Sequence, residues 1–169
     1  MKIAAFDPAT AFGWAFLDTA TGVFQSGVWD LTVKRDEGAG MKLLKLETNV
    51  VTLHRTVSGF DLVVFEAARH ANPKMFGAVL HQAKLQAILE RFCARHEIAY
   101  RGYSPTEIKK FAVGIGNARK DGMLKAVRGR WKADCESFDE ADAIATLYLA
   151  VAEYGDVKTV VPAASGRMA

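Results

Sequence analysis

The sequence has few of the features that mark specialised protein classes. Its two cysteines, Cys93 and Cys135, stand far apart with no Cys-x-x-Cys pair, which excludes a zinc ribbon and a disulfide framework and makes a reducing compartment the expectation. No apolar run approaches the ~18 residues of a membrane span. The opening Met1-Lys2-Ile3-Ala4-Ala5-Phe6 meets Asp7 too soon for the apolar region of a signal peptide. There is no internal repeat, no linker and no low-complexity block. The four histidines, His54, His70, His81 and His96, are dispersed, and none pairs with another at a metal-ligand spacing. Excess charge is modest as well. A formal net charge of +3 permits a polyanionic partner without demanding one. The expectation is a soluble cytoplasmic protein.

What is present fits one domain: 169 residues, half of them hydrophobic and 24% charged, make a chain that folds around a single core. The pattern predicts strands over Lys2 to Asp7, Gly13 to Asp18 and Val23 to Trp29, joined by short turns that imply antiparallel neighbours. From Glu37 to Ser58-Gly59 the steps Leu43, Leu46, Val50, Leu53 and Val57 predict an amphipathic helix. Asp61-Leu62-Val63-Val64-Phe65-Glu66 then reads as a strand buried on both faces.

A long helix follows from Pro73 to His96, with Phe76, Leu80, Ala83 and Ala87 on one stripe and Leu85, Ile88, Leu89 and Phe92 widening it. Ile98 to Tyr103 is a fifth strand, Ser104-Pro105-Thr106-Glu107 a capping box opening a short helix, and Arg119 to Trp131 a further helical stretch. The last helix opens at Ser137 and runs to about Tyr154. This gives an α/β fold of a three-strand meander followed by parallel strands that return through helices. Residues 1–155 form the domain and 156–169 a C-terminal tail.

Four carboxylates stand out by position. Asp7 and Glu66 each end an apolar strand, so each emerges at the carboxyl edge where open α/β sheets bind ligands, although an acid there also suits a plain turn. Asp139 and Asp142, spaced i,i+3, share a face of the last helix. Asp139 has an ordinary explanation, since Ser137 and Glu140 form a capping box and an acid in the first turn complements the helix dipole. Asp142 shares a stripe with Phe138, Ala145 and Leu149, and a carboxylate among apolar neighbours needs a cation. Oxygen donors without a His or Cys cluster suit Mg²⁺ or Mn²⁺ rather than zinc. Two such ions about 4 Å apart would serve an in-line phosphoryl displacement, the chemistry of nucleases.

Cations concentrate between Lys109 and Lys132. Lys109, Lys110, Arg119, Lys120, Lys125, Arg128, Arg130 and Lys132 face a single acid, Asp121, in 24 residues. That density is either a phosphate track or a solvated helix face. Gly114-Ile115-Gly116-Asn117 within it has the composition of a phosphate-binding turn. The tryptophans Trp14, Trp29 and Trp131 are expected to pack, and Cys93 to be a buried small hydrophobe.

Four segments together resemble the RuvC Holliday junction resolvases of the RNase H-like superfamily: Ile3-Ala-Ala-Phe-Asp7-Pro-Ala-Thr-Ala-Phe-Gly13, Leu62-Val-Val-Phe-Glu66, Val113-Gly-Ile-Gly-Asn-Ala-Arg-Lys120 and Asp139-Glu-Ala-Asp142-Ala-Ile-Ala. The resemblance covers nearly the whole chain and implies an RNase H-like mixed five-stranded sheet flanked by helices. It also implies a homodimeric endonuclease that binds four-way DNA junctions and makes paired, Mg²⁺-dependent nicks, with Mn²⁺ able to substitute. Carried over, Asp7, Glu66, Asp139 and Asp142 match the metal-binding acids, and Lys109 and Lys120 match basic residues near the scissile strand. Lys110, Arg119 and Arg69 are further expected DNA contacts of this chain.

Two departures are visible. Asp7-Pro8-Ala9 lacks the family's usual glycine, so its loop must form without a positive φ at Ala9. Where bacterial members commonly have a junction-inserting aromatic, this chain has Ala67-Ala68-Arg69-His70, which together with the Asp139-Glu140 pair suggests a divergent or phage-type member, the latter acting in its host's cytoplasm. The alternatives are a YqgF-like or other RNase H-fold nuclease acting on RNA or hybrids, and a non-catalytic junction-binding protein. Intact acids speak against the second. The sugar-kinase and actin superfold also places an Asp after its first strand, but needs two such domains.

Overall fold

A computed structural model of the chain describes residues 1–9, 11–68 and 76–155. In chain order the elements are β1 (Lys2–Asp7), β2 (Ala11–Asp18), β3 (Phe24–Asp30), α1 (Gly40–Thr56), β4 (Leu62–Glu66), α2 (Phe76–Arg95), β5 (Ala99–Tyr103), α3 (Pro105–Val113), α4 (Lys120–Trp131) and α5 (Phe138–Tyr154). They form one five-stranded mixed sheet in the order β3-β2-β1-β4-β5. The meander β1-β2-β3 is antiparallel, whereas β1–β4 and β4–β5 are parallel.

Side-chain alternation along the central strands explains why both faces are covered. Ile3 and Ala5 of β1, with Leu62 and Val64 of β4, pack into one core with α3, α4 and α5. Ala4 and Phe6, with Val63 and Phe65, pack into the other with α1 and α2. The continuous apolar runs therefore do what their composition requires, filling two cores from one strand. α5 is the most deeply embedded helix, with Ala141 and every residue from Ala143 to Ala150 buried. Its alanines let it lie close to β2 and β1. Where α5 begins, the strand residue beneath it is Gly13; a Cβ there would overlap the carbonyl group of Asp139.

Several local expectations hold. Ser104 and Glu107 form a full capping box with Pro105 in the first turn of α3. Ala9 has no positive φ; among described non-glycine residues only Ser58, Glu97 and Lys132 do. Trp131 packs, stacking on Tyr148 at 4.7 Å and on Phe111 at 5.8 Å. Trp14 stacks on Trp29 at 5.4 Å, and Cys93 is fully buried.

Other expectations need correction. The buried stripe of α2 is Leu85, Leu89, Phe92 and Cys93, whereas the stripe of Phe76, Leu80, Ala83 and Ala87 is the solvent face of the helix: Phe76 and Leu80 are 64% and 44% exposed, and Ala83 and Ala87 are exposed as well. At Ser137 only half of the capping box forms: its hydroxyl accepts from the Glu140 N–H at 3.0 Å, but the Glu140 carboxylate accepts from the Ser26 hydroxyl at 2.8 Å. The glycines after α3 also have local duties. Gly114 is the left-handed cap that ends the helix, and a Cβ at Gly116 would press on Thr106. Arg69, His70, Pro73 and the tail 156–169 lie outside the described residues.

Candidate active site

Parity and register bring the acids together. β1 and β4 run in parallel with Ile3 opposite Leu62 and Phe6 opposite Phe65, so the next positions on both strands, Asp7 and Glu66, finish side by side. Asp7 continues the face of Ile3 and Ala5, and Glu66 that of Leu62 and Val64, which is the face α5 covers. The first turns of α5 bring Asp139 and Asp142 to the same edge.

The electrostatics record this convergence. Asp7 is only 7% exposed; burial, then repulsion from Glu66, Asp142 and Asp139, holds its carboxyl well above the usual range. Glu66 is pushed up to about 7, mainly by burial and then by Asp142. Burial raises Asp142 to about 6. Three carboxylates thus resist ionisation at one spot, a pattern typical of functional sites.

Two lysines oppose the effect. Lys109 on α3 favours the ionised forms of Glu66 and Asp142, and Lys120, the first residue of α4, does so for Asp7, Glu66 and Asp142. The Lys120 ammonium sits 5.6 Å from the centre of the Phe138 ring, a cation–π contact that fixes it beside the start of α5.

The other expected contacts divide. Lys110 and Arg119 are exposed, and Arg119 is the extended N-cap of α4, so both face solvent near the site without engaging the acids. Two cations of the basic segment are structural. Arg128 donates twice to the Cys135 carbonyl, at 2.9 and 2.7 Å, and Arg130 donates to the Phe111 carbonyl at 2.7 Å while stacking on Phe111 and Trp131. Gln82 of α2, which nothing in the sequence singles out, hydrogen-bonds the Glu66 carboxylate. Its neighbour one turn on, Gln86, accepts from the Ala68 N–H at 2.9 Å and so ties the segment after β4 to the helix.

Among the described residues, no three carboxylate, histidine or cysteine side chains are drawn close enough to enclose an ion. The donor chemistry nevertheless fits a hard divalent cation: oxygen ligands only, mutually repelling, partly desolvated, with too little positive charge nearby to neutralise them.

A stability measurement follows from the shifted groups. Glu66 and Asp142 hold protons more tightly folded than unfolded, so their favourable contribution is complete below about pH 4 and is lost as pH rises through 6 to 7. Urea denaturation in EDTA is therefore expected to give lower stability at pH 8 than at pH 5 from these groups, by a few kcal/mol, since each tenfold change in proton affinity is worth roughly 1.4 kcal/mol. Added Mg²⁺ is expected to restore stability at pH 8 and to do little at pH 5. Stability that is flat across this interval would mean that neither burial nor mutual repulsion shifts these carboxylates.

Comparison with known proteins agrees with this architecture. No family model matches the chain. A stretch of 48 residues is 42% identical to the crossover junction endodeoxyribonuclease RuvC of Oleidesulfovibrio alaskensis, covering 25% of this chain and 29% of that protein's length. Thermus thermophilus RuvC superposes with a TM-score of 0.67 over 92% of this chain and 97% of its own, at 19% identity. The T. thermophilus RuvC structure in complex with Holliday junction substrate gives 0.69 over 87% and 90%, at 16% identity. The yeast mitochondrial Holliday junction resolvase Ydc2 gives 0.51 over 91% and 83%, at 14% identity. The likeness spans the sheet and its helices rather than a single motif, and it places this chain in the RuvC-type, RNase H-like fold.

Proposed function

We propose that this protein is a metal-dependent, structure-selective endodeoxyribonuclease that resolves four-way DNA junctions by hydrolysing one phosphodiester on each of two strands. The observation that carries the reading is the convergence of Asp7, Glu66, Asp139 and Asp142 at the carboxyl edge of β1 and β4, with Lys109 and Lys120 beside them. The fold shared with junction resolvases supports the choice of substrate.

In this reading Asp7, Glu66 and Asp142 hold Mg²⁺, or Mn²⁺ in its place, and Asp139 completes the set or orients water. A bound pair of such ions supplies Lewis acidity, lowering the pKa of water and neutralising charge at the phosphate. The chain's own residues do the rest. Lys120 and Lys109 attract the scissile phosphate and offset charge gathering on its oxygens. Gln82 keeps the Glu66 carboxylate turned toward the site, and the buried wall of α5 limits water on one side. Lys110 and Arg119 extend the positive surface along the strand leaving the site.

Paired nicks need two sites, and apolar surface supports a homodimer. Topology runs α1 and α2 in the same direction, and their first turns leave Met41, Leu44, Phe76 and Leu80 exposed. Sedimentation at micromolar concentration is expected to show a dimer; monomer alone would remove this part of the proposal.

The test is cleavage of an end-labelled synthetic four-way junction in Mg²⁺, beside linear duplex and RNA substrates. Symmetric nicks confined to the junction are expected. Preference for the RNA would favour a different RNase H-fold nuclease, and tight binding without any cut in Mg²⁺ or Mn²⁺ would indicate a scaffold.

A further inference from the structure

A second concentration of charge lies at the opposite edge of the sheet. α1 ends at Thr56 and leads into β4, and α2 ends at Arg95 and leads into β5, so both C-terminal turns sit where these strands begin. The acids lie where β1 and β4 finish, about 15 Å further along a five-residue strand. Between the two helix ends is a cavity of about 240 Å³ lined by Arg55, Arg91, Arg95, His54, His96 and Glu47, with Phe92 among its apolar walls.

The lining can be sorted by what it offers a ligand. Glu47 is its one acid, and Arg91 already occupies it at 2.6 Å. Arg55 and Arg95 have no carboxylate partner among the described residues. His54 is fixed by the backbone: the Phe60 N–H donates to its Nδ1 at 3.2 Å, which uses that lone pair. A neutral imidazole so bonded carries its proton on Nε2, which makes Nε2 a donor. Burial, with His96 adding to it, keeps His54 below the usual histidine range and hence neutral. The rings of His54 and His96 stand 5.2 Å apart, and both pack on Phe92.

Helix ends explain part of this. A cation in a last turn complements the helix dipole, which accounts for Arg55 and Arg95 taken singly. Arg91, one turn earlier, is accounted for by Glu47; what neither explains is that cations from two helices, unpaired among the described residues, meet around one concavity. A metal ion is a poor match, because the arginines have no lone pair to give and His54 has spent one. Donors in excess, net positive charge and room for one tetrahedral oxyanion with water match a phosphate.

We propose that this cavity binds a phosphate group, either free inorganic phosphate or the terminal phosphate of a nucleic-acid strand. Its volume admits a single phosphate and not a length of duplex backbone. The site is separate from the acidic crevice, and the inference stands whether or not the nuclease reading does.

The test uses the full chain in EDTA, titrated with sodium phosphate against sodium chloride at matched ionic strength, with long-range ¹H–¹⁵N spectra of the imidazoles as the readout. His54 and His96 are expected to shift saturably with phosphate and not with chloride. The double variant Arg55→Gln/Arg95→Gln, whose exposed side chains can be changed with little effect on folding, is expected to bind at least tenfold more weakly while cleaving DNA as the parent does. A 5′-phosphorylated single-stranded oligonucleotide that competes where its unphosphorylated twin does not would identify a strand terminus as the source; competition by inorganic phosphate alone would identify the free anion. Equal shifts in phosphate and chloride, or unchanged phosphate affinity in the double variant, would overturn the proposal.

Discussion

Asp7→Asn is expected to abolish junction cleavage, by at least ~10³-fold, the scale on which a preorganised charged group contributes at a phosphoryl centre, while raising the stability of the metal-free protein. The two effects have one cause. Asp7 is buried and faces Glu66, Asp142 and Asp139, so its ionised form is disfavoured by desolvation and then by repulsion. An amide of the same shape removes both costs and also removes a ligand. Near pH 8 in EDTA the melting temperature should rise by several degrees, since each kcal/mol moves it ~2–4 °C in a chain of this size. Under the proposed function junction binding rests on basic residues elsewhere, and it should persist. A variant that cuts normally would break the assignment of the acids; one that loses both cutting and stability would make Asp7 a structural residue.

Gly13→Ala is expected to be among the most damaging small substitutions in the molecule. A Cβ at this position would overlap the Asp139 carbonyl oxygen and carbon and come within 3.0 Å of the Glu140 N–H. All three are backbone atoms at the start of a buried helix, and no rotamer change relieves the clash. Either the strand or the helix must shift, at a cost of about 3 kcal/mol or more. Because the displaced turn holds Asp139 and stands one turn before Asp142, cleavage should fall even under conditions where the variant remains folded. Gly38→Ala, which meets nothing within 4 Å, is the matched control and should be silent. Urea midpoints of the two variants, with junction cleavage measured well below each midpoint, separate the effects.

Gly13 marks a limit of what a sequence shows by itself. Asp7 and Glu66 are legible because strand length, alternation and a terminal acid are local signals, and Asp142 because a carboxylate on an apolar stripe is anomalous on its own helix. The need for Gly13 arises only when residue 139 arrives from the far end of the chain. Gln82 escapes notice for the same reason, as does the contact of Phe138 with Lys120, since each acts on a residue of another element. Charge density in turn overcounts DNA contacts: a run of cations looks alike whether it meets phosphates or carbonyls, and Arg128 and Arg130 meet carbonyls. In α2 two neighbouring apolar stripes look alike in sequence, but only that of Leu85, Leu89, Phe92 and Cys93 is core, because nothing in a helix's own sequence says which of its apolar faces the sheet will cover. The glycine pair at 114 and 116 has the composition of a phosphate turn, whereas one ends a helix and the other makes room for Thr106.

The depth at which α5 is set has a consequence for the order in which the protein is made. Asp7 and Glu66 leave the ribosome early, on strands that pair with one another, but Asp139 and Asp142 come on the last helix, which must insert against β2 and β1 to complete one of the two cores. A nascent or truncated chain that lacks α5 holds two acids of four and an uncovered sheet face, which chaperones and proteases recognise. Under the proposed function, competence to cut DNA is thus tied to completion of the fold. No copy that stops short of α5 carries the full set of acids, and the site is armed only once that helix has been made and seated on the sheet.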